Sequence, residues 1–455
     1  MTAAAKLGRQ TFAALANRNY RRFIGGQGIS LVGTWMQTVA QSWLVLELTG
    51  SGTAIGVVVA LQTLPILLLG PYGGVIADRT DKRRLMIGLQ SIMGVQALLL
   101  GILTITGTVQ LWHVYVLALL LGLNQCFENP ARQSFLLEMV GPEDLRNAVS
   151  LNSTLVSVSR IVGPAVAGVT IAAGGLGVCF LINAASFVAV VSSLLRLDTS
   201  ALHRSAPAER ARGQLREGLR YVRGNRNLAV PLLMMAFIGC LAFEFQVVLP
   251  IVADQTFGAG SQAYGFMTAA MGIGSVCGGL LVATWGRTGT RVLIVAAAAF
   301  GFALVAAAAA PTLALELVAL ALVGAVSIAF NSTTNSTLQL EADPQMRGRV
   351  MALWSTAFMG STAIGGPIAG WVSQQWGGRA GLLLGAITCL VVALVAWIVI
   401  GRGKDVTART EPITEDPEEH TVENPVVSED PTLTDAEARR RRLDLRPARN
   451  FMMSG

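Results

Sequence analysis

Three sets of ionisable residues stand inside otherwise apolar stretches, and they bound the chemistry open to the chain. Glu244 lies about sixteen residues into one stretch, between Phe243 and Phe245, with no basic neighbour in sequence. A lone carboxyl in apolar surroundings favours its neutral form, which suits it to taking up and releasing a proton. Glu128 and Arg132 stand four apart, a spacing that puts both on one helix face with the acid N-terminal to the base, the favourable order. Arg160 lies about twelve residues into its own stretch, about 18 Å along a helix. If that helix crosses a bilayer, a central charge costs at least about 3 kcal/mol, so Arg160 should face a cavity or a carboxylate. Glu128 could pair with Arg132, reach Arg160 on the next helix, or exchange between them; a fixed ion pair stapling the two helices uses the same residues.

Long helices must hold these groups. Only 13% of the 455 residues are charged, against about 25% in an ordinary soluble domain, and mean hydropathy is +0.56. Charge sits in short clusters separated by apolar runs of about 20 residues, enough to cross a bilayer as helix. The reading is an all-α membrane protein with about twelve transmembrane helices, at 22–48, 53–77, 85–107, 111–138, 148–173, 176–197, 228–252, 262–284, 291–310, 312–340, 349–374 and 379–400. Arginines crowd alternate loops, and the opposite loops hold only Arg379. The positive-inside rule then puts both termini in the cytoplasm, with the chain in a bacterial inner membrane.

The two halves repeat. Residues 136–151 resemble 338–353, aligning Pro142 with Pro344; Gly163, Pro164 and Gly168 find counterparts in 364–370, with Gly366 and Pro367; and the pair Gly73 and Gly74 matches Gly278 and Gly279. All three matches share an offset of about 200 residues, which points to pseudo-symmetric six-helix halves at 22–197 and 228–403. Segment 1–21 precedes them. The linker, 198–227, is arginine-rich and reads equally well as a basic amphipathic helix or a solvated connection. The tail, 404–455, is acidic, proline-punctuated and then basic at 439–442, a composition expected to be disordered. A net charge of +7 could suggest nucleic acid, but its placement follows membrane topology, and no nucleic-acid partner is expected. The five cysteines fall singly in apolar stretches and the three histidines are scattered, so no disulfide framework, metal or other cofactor is indicated.

The hairpin at 71–85 carries Gly74, Ala77, Asp78 and Arg79, then Lys82, Arg83 and Arg84, between the second and third helices. In that position it resembles the loop signature of the major facilitator superfamily. Segment 127–140, followed by proline and 145–153, resembles the enterobactin-exporter-like branch of bacterial efflux proteins. The resemblance implies a proton-coupled transporter, not an enzyme, that exports a hydrophobic or amphipathic small molecule by alternating access, working as a monomer in the bilayer. It implies that Asp78 latches the cytoplasmic side against the start of the eleventh helix, near Arg349, with Gly73, Gly74, Arg79, Arg83 and Arg84 shaping the motif. Asp81 stands where a glycine is usual. Around Gly163, Pro164 and Gly168 it resembles the antiporter signature, although close helix packing explains the same residues.

For a substrate cavity the candidates are Trp35, Gln37, Gln41 and Gln62, with Asn124, Gln125, Phe243, Asn331 and Asn335 as further groups inside spans. Polar packing between helices is the competing explanation for each.

Overall fold

The computed structural model describes residues 13–203, 214–286 and 288–401. The tail and residues 204–213 of the linker lie outside them. The described chain is all helix: α1 (Arg18–Thr49), α2 (Gly52–Arg79), α3 (Lys82–Ile105), α4 (Leu111–Gly174), α5 (Leu176–Leu195), α6 (Gln214–Gly224), α7 (Arg226–Leu241), α8 (Phe245–Ile251), α9 (Gly260–Trp285), α10 (Thr290–Ala309), α11 (Leu313–Glu341), α12 (Arg347–Ser355), α13 (Thr362–Trp376) and α14 (Gly378–Gly401). These make about twelve passes, because α4 supplies two, while α7 with α8 and α12 with α13 each make one.

Tight caps let successive passes reverse within a few residues. Asn17 accepts from the amides of Asn19 and Tyr20 at the start of α1. Gly50 closes α1 in the left-handed region at φ 62°, and Ser51 caps α2 at once. Asp81 caps α3, its Oδ1 accepting from the Arg84 amide at 2.9 Å. A side-chain cap is a physical use for an acid where glycine is usual.

Two expected boundaries change. The fourth and fifth spans join as one helix whose limbs meet at Gly141, at φ 73° and ψ 176°, a conformation that glycine adopts without strain. Pro142 follows, and its missing N–H costs nothing at the start of a limb. The seventh span breaks between α7 and α8, with Glu244 at the break (φ −82°, ψ 39°).

Basic loops gather at one end of the bundle, here the basic end; the other is the far end. There the two halves share one buried apolar cluster, which includes Met36, Ile55, Ala167, Val248, Tyr264 and Ala369. At the basic end it gives way to two separate clusters. One holds Tyr20, Phe23, Phe135 and Leu194 of the first half, and the other Val222, Leu228, Leu338 and Val350 of the second. The halves are joined at one end and distinct at the other.

Candidate transport cleft and its charged residues

The surface of the second limb of α4 shows where the halves part. Gly163, Pro164, Ala167 and Gly168, toward the far end, are buried on one face. Toward the basic end that face continues as Ser150, Ser153, Ser157 and Arg160, all exposed. Val158, Val162, Val166 and Val169 are exposed on the opposite face, as lipid contact requires. Helix α9 mirrors the pattern. A Cβ on Gly265 would stand 2.6 Å from Pro164 O, and one on Gly272 would stand 3.3 Å from Arg160 O, whereas one on Gly279 would meet nothing within 4 Å. These glycines recur every seven residues along one face. A V-shaped cleft therefore opens between α4 and α9, with a serine-lined wall and Arg160 at its apex. On the other flank α2 and α13 close the far end main chain to main chain: a Cβ on Gly366 would lie 3.1 Å from Gly56 O, and one on Gly56 would lie 2.8 Å from Pro367 Cα.

At the apex the Arg160 guanidinium carbon lies 4.9 Å from the centre of the Trp35 ring. No carboxylate of a described residue comes within 4.0 Å of it. Glu128 is held elsewhere: its Oε1 lies 3.1 Å from Arg132 Nε and accepts from Gln90 Nε2 of α3 at 3.3 Å. Arg132 also donates to Asn129 Oδ1. The ion pair stays within the first limb of α4 and the Gln90 hydrogen bond ties that limb to α3, so the pair does not staple the two limbs together.

Glu244 is buried at 3% exposure, and its Oε1 has no hydrogen-bond partner. The carboxylate abuts α13, where a Cβ on Gly365 would lie 3.0 Å from Oε1 and one on Gly366 would lie 3.5 Å from Oε2. Those glycines thus make room for an acid as well as for α2. A cavity of about 10 Å³ adjoins Glu244, bounded by Leu241, Val248 and Leu382; that volume is near the least that admits a water.

Several polar candidates bind helices together. Asn183 donates to Gln37 at 2.6 Å, joining α5 to α1, and Asn124 donates to Leu89 O at 2.9 Å, joining α4 to α3. Gln62 donates to Gln41 at 3.4 Å, and Gln339 donates to Asn335 at 2.6 Å. Gln125 and Asn331 are half-buried. Phe243 packs edge-on against Phe300 and Phe358, each at 5.3 Å between centroids.

Gly73, Gly74 and Asp78 fall in the last turns of α2, and the Asp78 side chain lies outside the described residues; Arg79 is exposed. Arg83 donates to the carbonyls of Leu194 and Leu195, capping the C-terminus of α5. Lys82 makes a buried ion pair with Glu138 at 2.6 Å. Arg349 donates to Glu217 of α6 at 2.7 Å. Beside it, Tyr221 donates to Asp343 Oδ2 at 2.9 Å and accepts from the Asp343 amide, while Gly218 packs on Arg349 Cβ. The linker therefore contains a helix docked on the second half. At the end of α5, the Ser200 hydroxyl and amide donate to Asp198, holding its carboxyl below the usual range.

Glu316, in the first turn of α11, escaped sequence reasoning. It is fully buried with neither carboxylate oxygen hydrogen-bonded. The rule that singled out Glu244 applies to it too, since it stands alone between Leu315 and Leu317; its place near a span end hid it. Glu217 carried no sequence signal, because it lies in the linker and its partner, Arg349, lies far along the second half.

A family model described as a transmembrane secretion effector matches residues 9–428. The chain belongs to this family. Transmembrane secretion effectors of this kind have the major facilitator fold and are secondary transporters, not enzymes. Macrolide efflux protein A of Streptococcus pyogenes is 23% identical over 377 residues, covering 81% of this chain and 93% of its own. The enterobactin exporter of Escherichia coli is 25% identical over 379 residues, covering 82% and 89%. At such similar levels neither branch stands out, so the narrower enterobactin-exporter assignment gives way to the family. The crystal structure of the nucleoside transporter NupG shares the fold at a TM-score of 0.69, with 14% identity and coverage of 84% and 99%.

Proposed function

We propose that this secretion effector is a proton-coupled exporter of a hydrophobic or amphipathic small molecule, working by alternating access in a bacterial plasma membrane. The observation that carries the reading is the cleft between the halves, closed at the far end and open at the basic end. With the basic loops and both termini in the cytoplasm, this is the inward-open state, ready to load from the cell. Relatives named for macrolide efflux and enterobactin export support the outward direction. In this reading residues 22–197 rock as one six-helix unit against residues 228–403. Glu244 is the proposed proton site, since it is buried, unpartnered at Oε1 and pressed on the helix that closes the far end. In the outward-open state Asp78 would latch the start of α12 near Arg349, taking the place of Glu217.

Everted membrane vesicles test the whole proposal. Imposing a proton gradient should drive uptake of at least one compound from a panel of drugs, siderophores and secondary metabolites, and collapsing the gradient should stop it. Glu244→Gln should remove the gradient dependence while leaving substrate binding intact. Vesicles that accumulate nothing across the panel would rule out export, and unchanged coupling in the Gln variant would remove Glu244 from the mechanism.

A further inference from the structure

Among the described residues Arg160 has no counter-charge, and α9, α1 and its own limb offer no acid near it. Helix α9, the opposite wall, contains no Asp or Glu from end to end. Helix α1, which brings Trp35, has a single acid, Glu47, and that accepts from Trp43 Nε1 at 2.6 Å near the far end. On its own limb the acids are Glu143 and Asp144, about 24 Å away along the axis at the basic end. Glu128 is engaged by Arg132 and Gln90. Aligning Pro164 with Pro367 puts Ala363 opposite Arg160 in the repeat, so the second half offers no matching charge.

The geometry around the guanidinium leaves it ready to bind. The guanidinium sits over the Trp35 ring in a cation–π contact, and none of its N–H groups has a hydrogen-bond partner among the described residues. Its N–H edge can meet a carboxylate or sulfonate through two parallel hydrogen bonds. Ser157 and Ser153 continue the polar wall toward the basic end, and both are exposed. When the halves close over the apex, a bare Arg160 would be shut between α4 and α9 as an unpaired buried charge, which is costly. A bound anion removes that cost.

We infer that Arg160 is an anion-binding point of the cleft, taking the carboxylate, sulfonate or comparable anionic group of an amphipathic substrate whose apolar part lies beside Trp35. The inference rests on the transport reading, because it takes the open cleft as the way in. It also makes closure of the basic end depend on an anionic cargo.

The test uses the purified full chain in nanodiscs with a matched pair of probes, 2-naphthoate and its neutral analogue 2-naphthamide. Wild type should bind the naphthoate about tenfold more tightly or better, the advantage of hydrogen bonds to a charged group. Arg160→Lys should keep a reduced preference, and Arg160→Gln should bind the two probes alike while retaining wild-type affinity for the naphthamide. Equal affinities in wild type, or a preference that survives in Arg160→Gln, would overturn the inference. Loss of both probes in both variants would assign Arg160 to holding the fold and would overturn it too. The vesicle assay separates this from the broader proposal: gradient-driven export confined to neutral or cationic compounds keeps the transport reading and removes the anion site.

Discussion

Alanine at Gly56 should shift the protein away from the state that is closed at the far end. A Cβ there would stand 2.6 Å from Gly366 C and 2.8 Å from Pro367 Cα, and nearer still to the Gly366 carbonyl oxygen. Non-bonded carbons settle at about 3.5–4.0 Å, and these are main-chain atoms that no rotamer change can move aside. Helices α2 and α13 must then part by about 1 Å, along a contact that continues to Gly52 and Gly370. Overpacking of this kind costs about 1–3 kcal/mol. The cost falls on the far-end-closed state alone if alternating access separates these helices in the opposite state. The ratio of the two populations should therefore move by about 5- to 150-fold toward far-end-open. Electron–electron resonance distances can read this between spin labels at Thr108→Cys in the first half and Pro311→Cys in the second, after the native cysteines at 126, 179, 240, 277 and 389 are replaced. Both label sites are exposed in loops at the far end. The long-distance population should grow in Gly56→Ala. A distribution identical to that of the parent, in protein that still elutes as a single species, would refute the idea that this glycine contact holds the far end shut.

Further outcomes follow from the ion pairs. Lys82→Ala should lower the melting temperature clearly, because it strands Glu138 as a buried charge at a cost of about 3–5 kcal/mol. The double variant Lys82→Met, Glu138→Leu should recover most of the loss, and a double variant as unstable as the single would show that the pair does more than compensate charge. For Glu217 and Arg349 the pair is half-exposed and worth about 0–1 kcal/mol, so melting should barely move in either single variant. Transport should nevertheless fall by up to about fivefold in Glu217→Arg and in Arg349→Glu; the swapped pair should restore the docking of α6 but not transport, because Asp78 would then meet an acid, and full recovery of transport would remove Arg349 from the latch.

Much of this fold is legible in sequence because a bilayer enforces helices of one length, and loop charge marks their ends. The repeat around Pro164 and Pro367 likewise exposes the two halves, since both positions face the same packing problem. What escapes is whatever depends on relative rotation. Gln37 and Gln41 stand one turn apart, yet Gln37 meets Asn183 on α5 and Gln41 meets Gln62 on α2. Spacing along one helix cannot say which neighbour each side of it will find. The break at Glu244 is hidden for a related reason, because the room for its carboxyl is made by glycines more than a hundred residues away. The docking of α6 is hidden too, since Glu217 and Arg349 belong to different segments and neither has a local motif.

The split of the apolar core implies a thermal signature for the working cycle. Opening the far end would wet side chains such as Met36, Val248 and Tyr264 that are now dry, whereas the face that shuts at the basic end is lined by serines. The two ends therefore do not trade equal amounts of apolar hydration, and interconversion carries a net heat-capacity change. Apolar association weakens on cooling, so low temperature should favour the far-end-open form. An organism that lives in the cold would run this carrier from a different resting state than one that lives in the warm, with no change in sequence at the charged residues.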